Sequence, residues 1–138
     1  MNATDQHRTL SSTPASAGTA RRFVEAVLTD AGLDDLAYTA TLLTSELVAN
    51  AVLHTNTPID IVVKTAGDRA RVEVHDGSHL LPVRKNYSTM SGTGRGLMLV
   101  ERMATRWGAD ATDSGKVVWF ELEGPVAPAF DILDVEAL

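Results

Sequence analysis

Three polar side chains recur at a regular spacing in the segment SELVANAVLHT, residues 45–55. Glu46, Asn50 and His54 are each four residues apart and stand among leucines. Because an α-helix turns about 100° per residue, the spacing predicts that Glu46 and Asn50 lie near the middle of an apolar helix stripe. A carboxylate buried there without partners is strongly unfavourable. Either a buried arginine or backbone satisfies these groups, or the helix lines a cavity. An amide one turn from a carboxylate favours the cavity.

A second acidic residue is predicted to point inward from the end of a strand. Asp76 continues the alternation of Ala70, Val72 and Val74 in the segment RARVEVHD. Gly77 follows it and gives the backbone conformational freedom. Asp76 therefore either caps the following turn or contributes a carboxylate to the same cavity.

Alternating glycines precede a predicted helix in the segment SGTGRGL, residues 91–97. Such glycines let backbone N–H groups converge on an anion, and the helix N-terminus adds a favourable field. Arg95 supplies a cation. The dinucleotide fingerprint G-x-G-x-x-G fails because Leu97 stands at its last position, and the Gly-Lys-Ser/Thr of a P-loop does not occur. The pattern predicts a phosphate-type turn of another kind.

The surrounding elements predict an α+β fold. Helices are expected over residues 14–31, over 34–54 with Asp34 as N-cap, and from about 94–96 to 107. Strands are expected over 59–65, 69–76, 109–113 and 116–123, with at most a short one near 7–10. Hairpin connections predict a two-layer sandwich whose mixed, mostly antiparallel sheet is covered on one face by about three helices. Residues 77–94 form a long segment without apolar period, which favours a functional loop.

The chain is expected to form one domain over residues 15–124, between a flexible segment or edge strand (1–14) and a tail (125–138). Its 138 residues are 44% hydrophobic and 22% charged, which suits a packed core. The net charge of -6 argues against direct nucleic-acid binding, and the absence of cysteine excludes disulfides and thiolate sites. The first ten residues do not look like a secretory signal, and no apolar run approaches the roughly 20 residues that span a bilayer. We therefore expect a cytoplasmic protein without a membrane partner.

Three sequence segments in this order resemble the GHKL ATPase superfamily and its Bergerat fold. They are SELVANAVLHT, VEVHDGSHLLP and GTGRGLMLVERMATRWG, and GKVVWFEL follows them. The closest resemblance is to the small bacterial ATP-binding domains of anti-sigma factor serine/threonine kinases, of the actinobacterial type. It covers about residues 15–123.

The resemblance implies ATP and Mg²⁺ as cofactors and assigns a role to each motif. Asn50 would bind the Mg²⁺ that bridges the phosphates, and Glu46 would be the catalytic base that deprotonates the attacking hydroxyl or water. Asp76 would accept a hydrogen bond from the adenine amino group and reject guanine, which has no donor there. His54 would be scaffold. The remaining nucleotide-binding positions would be Gly77 and the lid residues Gly92, Thr93, Gly94, Arg95, Gly96 and Leu97.

The function implied is a regulatory kinase that phosphorylates an anti-sigma antagonist protein and sequesters a sigma factor. The alternative is a non-catalytic module that binds nucleotide or protein. A histidine kinase is disfavoured because too little chain precedes residue 15, and a metal hydrolase because His75 and His79 straddle a strand end and a loop. The relatives imply a homodimer. The relatives also tend to have threonine at the position of Val117. Valine has no hydroxyl, so one contact near the adenine would be missing in this chain.

Overall fold

The computed structural model describes residues 3–79 and 94–124, with the side chains of residues 94–96 outside the description. Most of the predicted loop 77–94 and the whole tail 125–138 therefore lie outside the described residues. The strands are β1 (Thr4–Leu10), β2 (Ile59–Ala66), β3 (Arg69–Asp76), β4 (Arg106–Thr112) and β5 (Gly115–Glu123). The helices are α1 (Ser16–Asp30), α2 (Asp34–His54) and α3 (Gly94–Met103).

The described strands form one sheet in the order β1-β2-β3-β5-β4. All four strand pairings within the described residues are antiparallel, so this part of the sheet is antiparallel throughout and not mixed. Strand β1 lies at one edge, where it pairs residue by residue with β2. The central register sets Asp76 at the end of β3 opposite Lys116 near the start of β5. The predicted α+β sandwich with a largely antiparallel sheet is confirmed.

The core lies between one face of the sheet and the helices. Alternate residues of β2 are buried, as the period of two requires for a sheet with one covered face. Strand β3 follows the same alternation except at Glu73, which is buried on the opposite face. Leu28 of α1 and Leu43 of α2 have no exposed surface, and neither has Phe120 of β5. All of them belong to one hydrophobic cluster. Burial of these large side chains fixes α2 across the sheet centre, which is what positions its polar residues.

Several elements begin or end at other residues than predicted. The expectation of at most a short strand near residues 7–10 was wrong, because β1 runs over Thr4–Leu10 and pairs with β2 along its whole length. Asp34 is not the N-cap of α2: Leu33 holds that position, without a side-chain cap. The Leu33 N–H donates instead to the Leu28 carbonyl at 2.8 Å, so the turn after α1 satisfies the backbone there. Helix α3 ends at Met103, four residues before the predicted end. The Thr105 N–H donates to the Glu121 carbonyl at 2.8 Å, and this pairing with β5 draws the chain into β4 early.

The buried face of α2 is rotated from the predicted stripe. It is centred on Leu36, Leu43 and Leu47 and includes Asn50, whereas Leu53 is 65% exposed and Glu46 is half-buried at its margin. The prediction that Glu46 lies in mid-stripe was therefore wrong, and the prediction for Asn50 was right. The predicted stripe includes Leu42 and Leu53, but Leu42 is only half-buried and Leu53 is exposed, as leucines on protein surfaces commonly are.

Helix α2 has 21 residues and matches a membrane span in length and composition. The expectation that no apolar run approaches the length of a membrane span was therefore wrong for α2. Half of the apolar stretch is nevertheless buried inside the protein, as in a core helix.

Ion pairs join the central strands on the sheet face opposite the helices. Arg71 Nε donates to Glu73 at 2.7 Å, and Arg71 Nη1 donates to Glu121 at 2.8 Å. His75 Nε2 lies 2.9 Å from Glu73. Burial of Glu73 opposes its ionisation, but the hydrogen bonds from Arg71 and His75 outweigh burial and lower its pKa. Arg106 lowers the pKa of Glu121 through a hydrogen bond of 2.7 Å.

These lowered pKa values predict a loss of stability in acid. A carboxyl whose folded pKa lies below its ordinary value near 4.5 stabilises the fold above that pH, and the contribution disappears as pH falls through the folded pKa. We expect the urea midpoint to fall between pH 6 and 3, as a rough range, and to fall less in Glu73→Gln. Glu25→Gln, on the exposed side of α1, is the matched control. The same acid dependence in both variants would contradict a role for the Glu73 ion pairs.

Candidate functional site

A small cavity lies between α2, α3 and the ends of β3 and β5. Its volume is about 20 Å³, which is room for about one water molecule. The cavity brings together three of the predicted site residues, Asn50, Asp76 and Leu97. The full lining is Leu47, Asn50, Ala51, His54, Val74, Asp76, Leu97, Lys116 and Val118.

Asn50 is a buried amide without a hydrogen bond to any of residues 3–79 or 94–124. It is 6% exposed and lines the cavity. Within the described residues, Thr44 Oγ1 is the fully buried side-chain polar atom that lacks a partner, so the Asn50 amide atoms retain contact with solvent through the cavity. Here the packing of Leu43 and Leu47 against the sheet forces Asn50 inward. The Asn50 amide forms no hydrogen bond within the described ranges and faces the cavity, so it is available to a ligand or to solvent.

Glu46 lies one helical turn before Asn50 and is half-buried. It does not line the cavity, and it forms no hydrogen bond or ion pair within the described part of the chain. A carboxylate without a partner has oxygens that can accept a hydrogen bond from a substrate hydroxyl. The structure thus places Glu46 beside the cavity, on the same helix as the amide.

Asp76 is held at the cavity by the turn that follows β3. Its Oδ1 accepts the N–H of Ser78 at 2.8 Å, so the predicted turn-capping contact exists. The Gly77 N–H donates to Thr57 Oγ1 at 2.7 Å. A Cβ at Gly77 would lie 2.7 Å from the Thr57 methyl carbon, too close for any side chain. Asp76 therefore both caps the turn and lines the cavity, and the two sequence interpretations hold together.

Lys116 forms a buried ion pair with Asp76 that the sequence did not predict. Its Nζ lies 2.9 Å from Oδ2 and 3.0 Å from Oδ1, with side-chain exposures of 6% for Lys116 and 2% for Asp76. A Cβ at Gly115 would lie 1.9 Å from the Asp76 carbonyl oxygen, so the strands approach closely only because residue 115 is glycine. The sequence does contain a signal that Lys116 points inward. This residue continues the alternation of the inward-facing residues Val118, Phe120 and Leu122 in β5.

The side chain of Val117 does not face the cavity, so a hydroxyl at this position would not contact a ligand there. Val117 pairs with His75, so its side chain is on the sheet face opposite the cavity. The side chain of β5 that meets Asp76 is Lys116. The expectation that the departure at Val117 removes a contact near the base was therefore wrong, because its strand register was one residue off.

The predicted phosphate-binding residues are only partly described. Gly92 and Thr93 lie outside the described residues, and Gly94, Arg95 and Gly96 are described as the backbone that begins α3. Leu97 is 3% exposed and lines the cavity. The lid role of the glycines stays a prediction. His54 lies at the exposed C-terminal end of α2 and borders the cavity, and its scaffold role also stays a prediction.

Comparison with known proteins identifies the family. The model of the histidine kinase-like ATPase domain matches residues 10–122. The chain belongs to this family. The match runs from the end of β1 through β5 and includes both sides of the cavity. Membership in this ATPase family implies that the domain binds ATP, and it confirms the resemblance to the GHKL superfamily.

Solved structures share this fold. One of them contains the RsbU and RsbW domains of Rv1364c from Mycobacterium tuberculosis, with a TM-score of 0.66 and 22% sequence identity. The match covers 87% of this chain and 32% of that chain, so the histidine kinase-like ATPase domain described here spans about a third of that protein's length. A comparison with curated protein sequences finds no significant match.

The residues present fit a magnesium ion that arrives with a nucleotide. Within the described ranges no group of three His, Cys, Asp or Glu side chains could hold a metal ion. Mg²⁺ is commonly bound by one or two protein oxygens together with phosphates and water, rather than by an all-protein cage. The Asn50 amide offers one such oxygen.

Proposed function

We propose that this domain is an ATP-binding serine/threonine protein kinase of the anti-sigma factor type. It would phosphorylate an antagonist protein, sequester a sigma factor and act in the cytoplasm, with a homodimer as the expected assembly. The observation that carries the proposal is the unpaired, buried Asn50 in a cavity with Asp76, one turn from an unpaired Glu46. The fold shared with about a third of the chain that contains the RsbU and RsbW domains supports a regulatory role.

Each residue has a distinct task in this proposal. Asp76 would bind the base at the inner end of the cavity, and the N-terminus of α3 would face the phosphates, where its backbone N–H groups favour negative charge. Asn50 would hold Mg²⁺, which supplies charge neutralisation on the phosphates when bound. Glu46 would orient the substrate hydroxyl and accept its proton. Phosphoryl transfer relies mainly on positioning and electrostatics, so this small set of groups suffices.

Nucleotide binding requires the site to open. A cavity of about 20 Å³ holds one water, whereas ligand pockets are on the order of 300–1,000 Å³. Leu97 on α3 and Lys116 on β5 both border the cavity. We propose that α3 moves away from α2 when ATP enters, which would admit the base and bring the N-terminus of α3 to the phosphates.

A titration with ATP and Mg²⁺ tests the nucleotide half of the proposal. We expect saturable binding to the folded protein, and no binding at about millimolar ATP would reject the proposal, since weak complexes of ~1 mM are still detectable. Asn50→Ala should abolish the part of the affinity that depends on Mg²⁺. The control is Asn56→Ala, which removes an exposed amide just beyond α2 and should change nothing.

The partner half of the proposal needs a separate experiment. We expect a pull-down with the histidine kinase-like domain as bait to recover a sigma factor and a small antagonist protein. Adding ATP and Mg²⁺ should release the antagonist as its serine or threonine becomes phosphorylated. Recovery of the same proteins with and without nucleotide would support the non-catalytic module instead.

A further inference from the structure

The Asp76–Lys116 pair presents both a hydrogen-bond acceptor and a hydrogen-bond donor to the cavity. Asp76 Oδ1 accepts from Ser78 and from Lys116, whereas Oδ2 accepts only from Lys116 within the described residues. A carboxylate oxygen has more than one lone pair, so Oδ2 can accept a further donor. Lys116 has three N–H groups, and the two Asp76 oxygens leave at least one for an acceptor. Both side chains line the cavity.

The position of Lys116 is fixed by the sheet. Its Cα is paired with that of Asp76 in the β3–β5 register, and the close approach at Gly115 holds the two strand ends together. The Lys116 side chain is 6% exposed, so its ammonium is at the carboxylate and not in bulk solvent. A ligand that reaches Asp76 through the cavity must therefore meet Lys116 as well.

The pair changes which purine the site can recognise. A carboxylate that faces position 6 of a purine offers only acceptors there, so it accepts from the 6-amino group of adenine and repels the 6-oxo group of guanine or hypoxanthine. The ammonium adds a donor within 3.0 Å of the same carboxylate. A 6-oxopurine can then give its N1–H to Asp76 and accept from Lys116 at O6. Adenine can give its 6-amino hydrogen to Asp76 and accept from Lys116 at N1.

We propose that Lys116 is a second base-recognition residue, and that it makes the site accept 6-oxopurine nucleotides as well as ATP. The inference rests on the proposed nucleotide site and specifies its ligand class. It replaces the expectation that Asp76 rejects guanine, because that expectation considered the carboxylate without its buried partner. Lys116 is thereby a specificity-determining residue.

The affinities of the wild-type protein for ATP and inosine triphosphate test the inference without any substitution. These two nucleotides differ only at position 6 and in the N1 proton that accompanies the oxo group. We expect their dissociation constants, measured by calorimetry with Mg²⁺, to agree within about threefold, since each can make two hydrogen bonds to the pair. GTP should bind comparably.

Lys116→Thr provides the matched variant. Threonine removes the donor and leaves space for water to hydrate Asp76, so we expect ATP to be preferred over inosine triphosphate by about tenfold or more. Lys64→Thr on the opposite sheet face is the control and should keep the wild-type ratio. Lys116→Arg retains a donor and should also keep that ratio, which gives a second variant if Lys116→Thr does not fold.

The possible outcomes separate this inference from the proposed function. A wild-type preference for ATP of about tenfold or more overturns the inference and leaves the ATP-binding kinase proposal standing. Binding of ATP by Lys116→Thr, with no nucleotide bound by wild type, also overturns it, because Lys116 would then block the site. Absence of binding for every nucleotide in every folded variant rejects the proposed nucleotide site itself, and with it this inference.

Discussion

Replacement of Glu46 by glutamine should stop phosphoryl transfer and leave ATP affinity nearly unchanged. Glu46 is half-buried, forms no hydrogen bond or ion pair in the described ranges, and does not border the cavity that Asp76 closes. Glutamine has the same shape but cannot accept a proton, so the loss is confined to the base. General base catalysis contributes about 10²–10⁴-fold, and the transfer rate should fall by that factor.

The measurement is transfer of labelled phosphate to a candidate antagonist protein, together with calorimetric ATP affinity for the same preparations. Glu25→Gln is the matched control, since it makes the same chemical change on the exposed side of α1. A Glu46→Gln protein that transfers phosphate at the wild-type rate would exclude Glu46 as the base. If wild type binds ATP but neither protein transfers phosphate to any antagonist that it binds, the non-catalytic module is the better description.

The fold was largely predictable because its elements carry regular local patterns. The alternation in β2 and β3, the glycine between them and the apolar period of α2 each predict one structure without reference to the others. The bounds of α2 and β3 agree with the sequence prediction. The end of α3 was not predictable from α3 itself, because it depends on the pairing of Thr105 with β5. Contacts between distant segments override local propensity there.

The candidate site was predicted less completely, for a related reason. Asn50 and Asp76 could be assigned to one cavity because both continue the inward phase of their own element. The partner of Asp76 could not be assigned in the same way. It depends on the register between β3 and β5. The last residue of β3, Asp76, and the first residue of β5, Gly115, are 39 positions apart in the chain. A shift of one residue exchanges Val117 for Lys116, and with it an apolar neighbour for a cation.

The buried pair Asp76–Lys116 should also be a large determinant of stability. Removing one partner leaves the other charge buried without compensation, which costs about 3–5 kcal/mol in comparable cases. We therefore expect Lys116→Met to lose that much free energy of unfolding in urea at neutral pH. Lys64→Met is the control: Lys64 is 47% exposed and lies 3.5 Å from Glu73. Loss of such an exposed pair costs about 1 kcal/mol or less.

A double variant distinguishes the charge from the packing. Asp76→Val with Lys116→Met removes both charges and keeps apolar volume at the strand ends, so we expect it to be more stable than Lys116→Met alone. An additive loss in the double variant would mean that the two side chains contribute independently, against the contact of 2.9 Å between them. A stable double variant that no longer binds nucleotide would show that the pair is retained for recognition, since apolar residues of similar size would hold the strand ends together equally well.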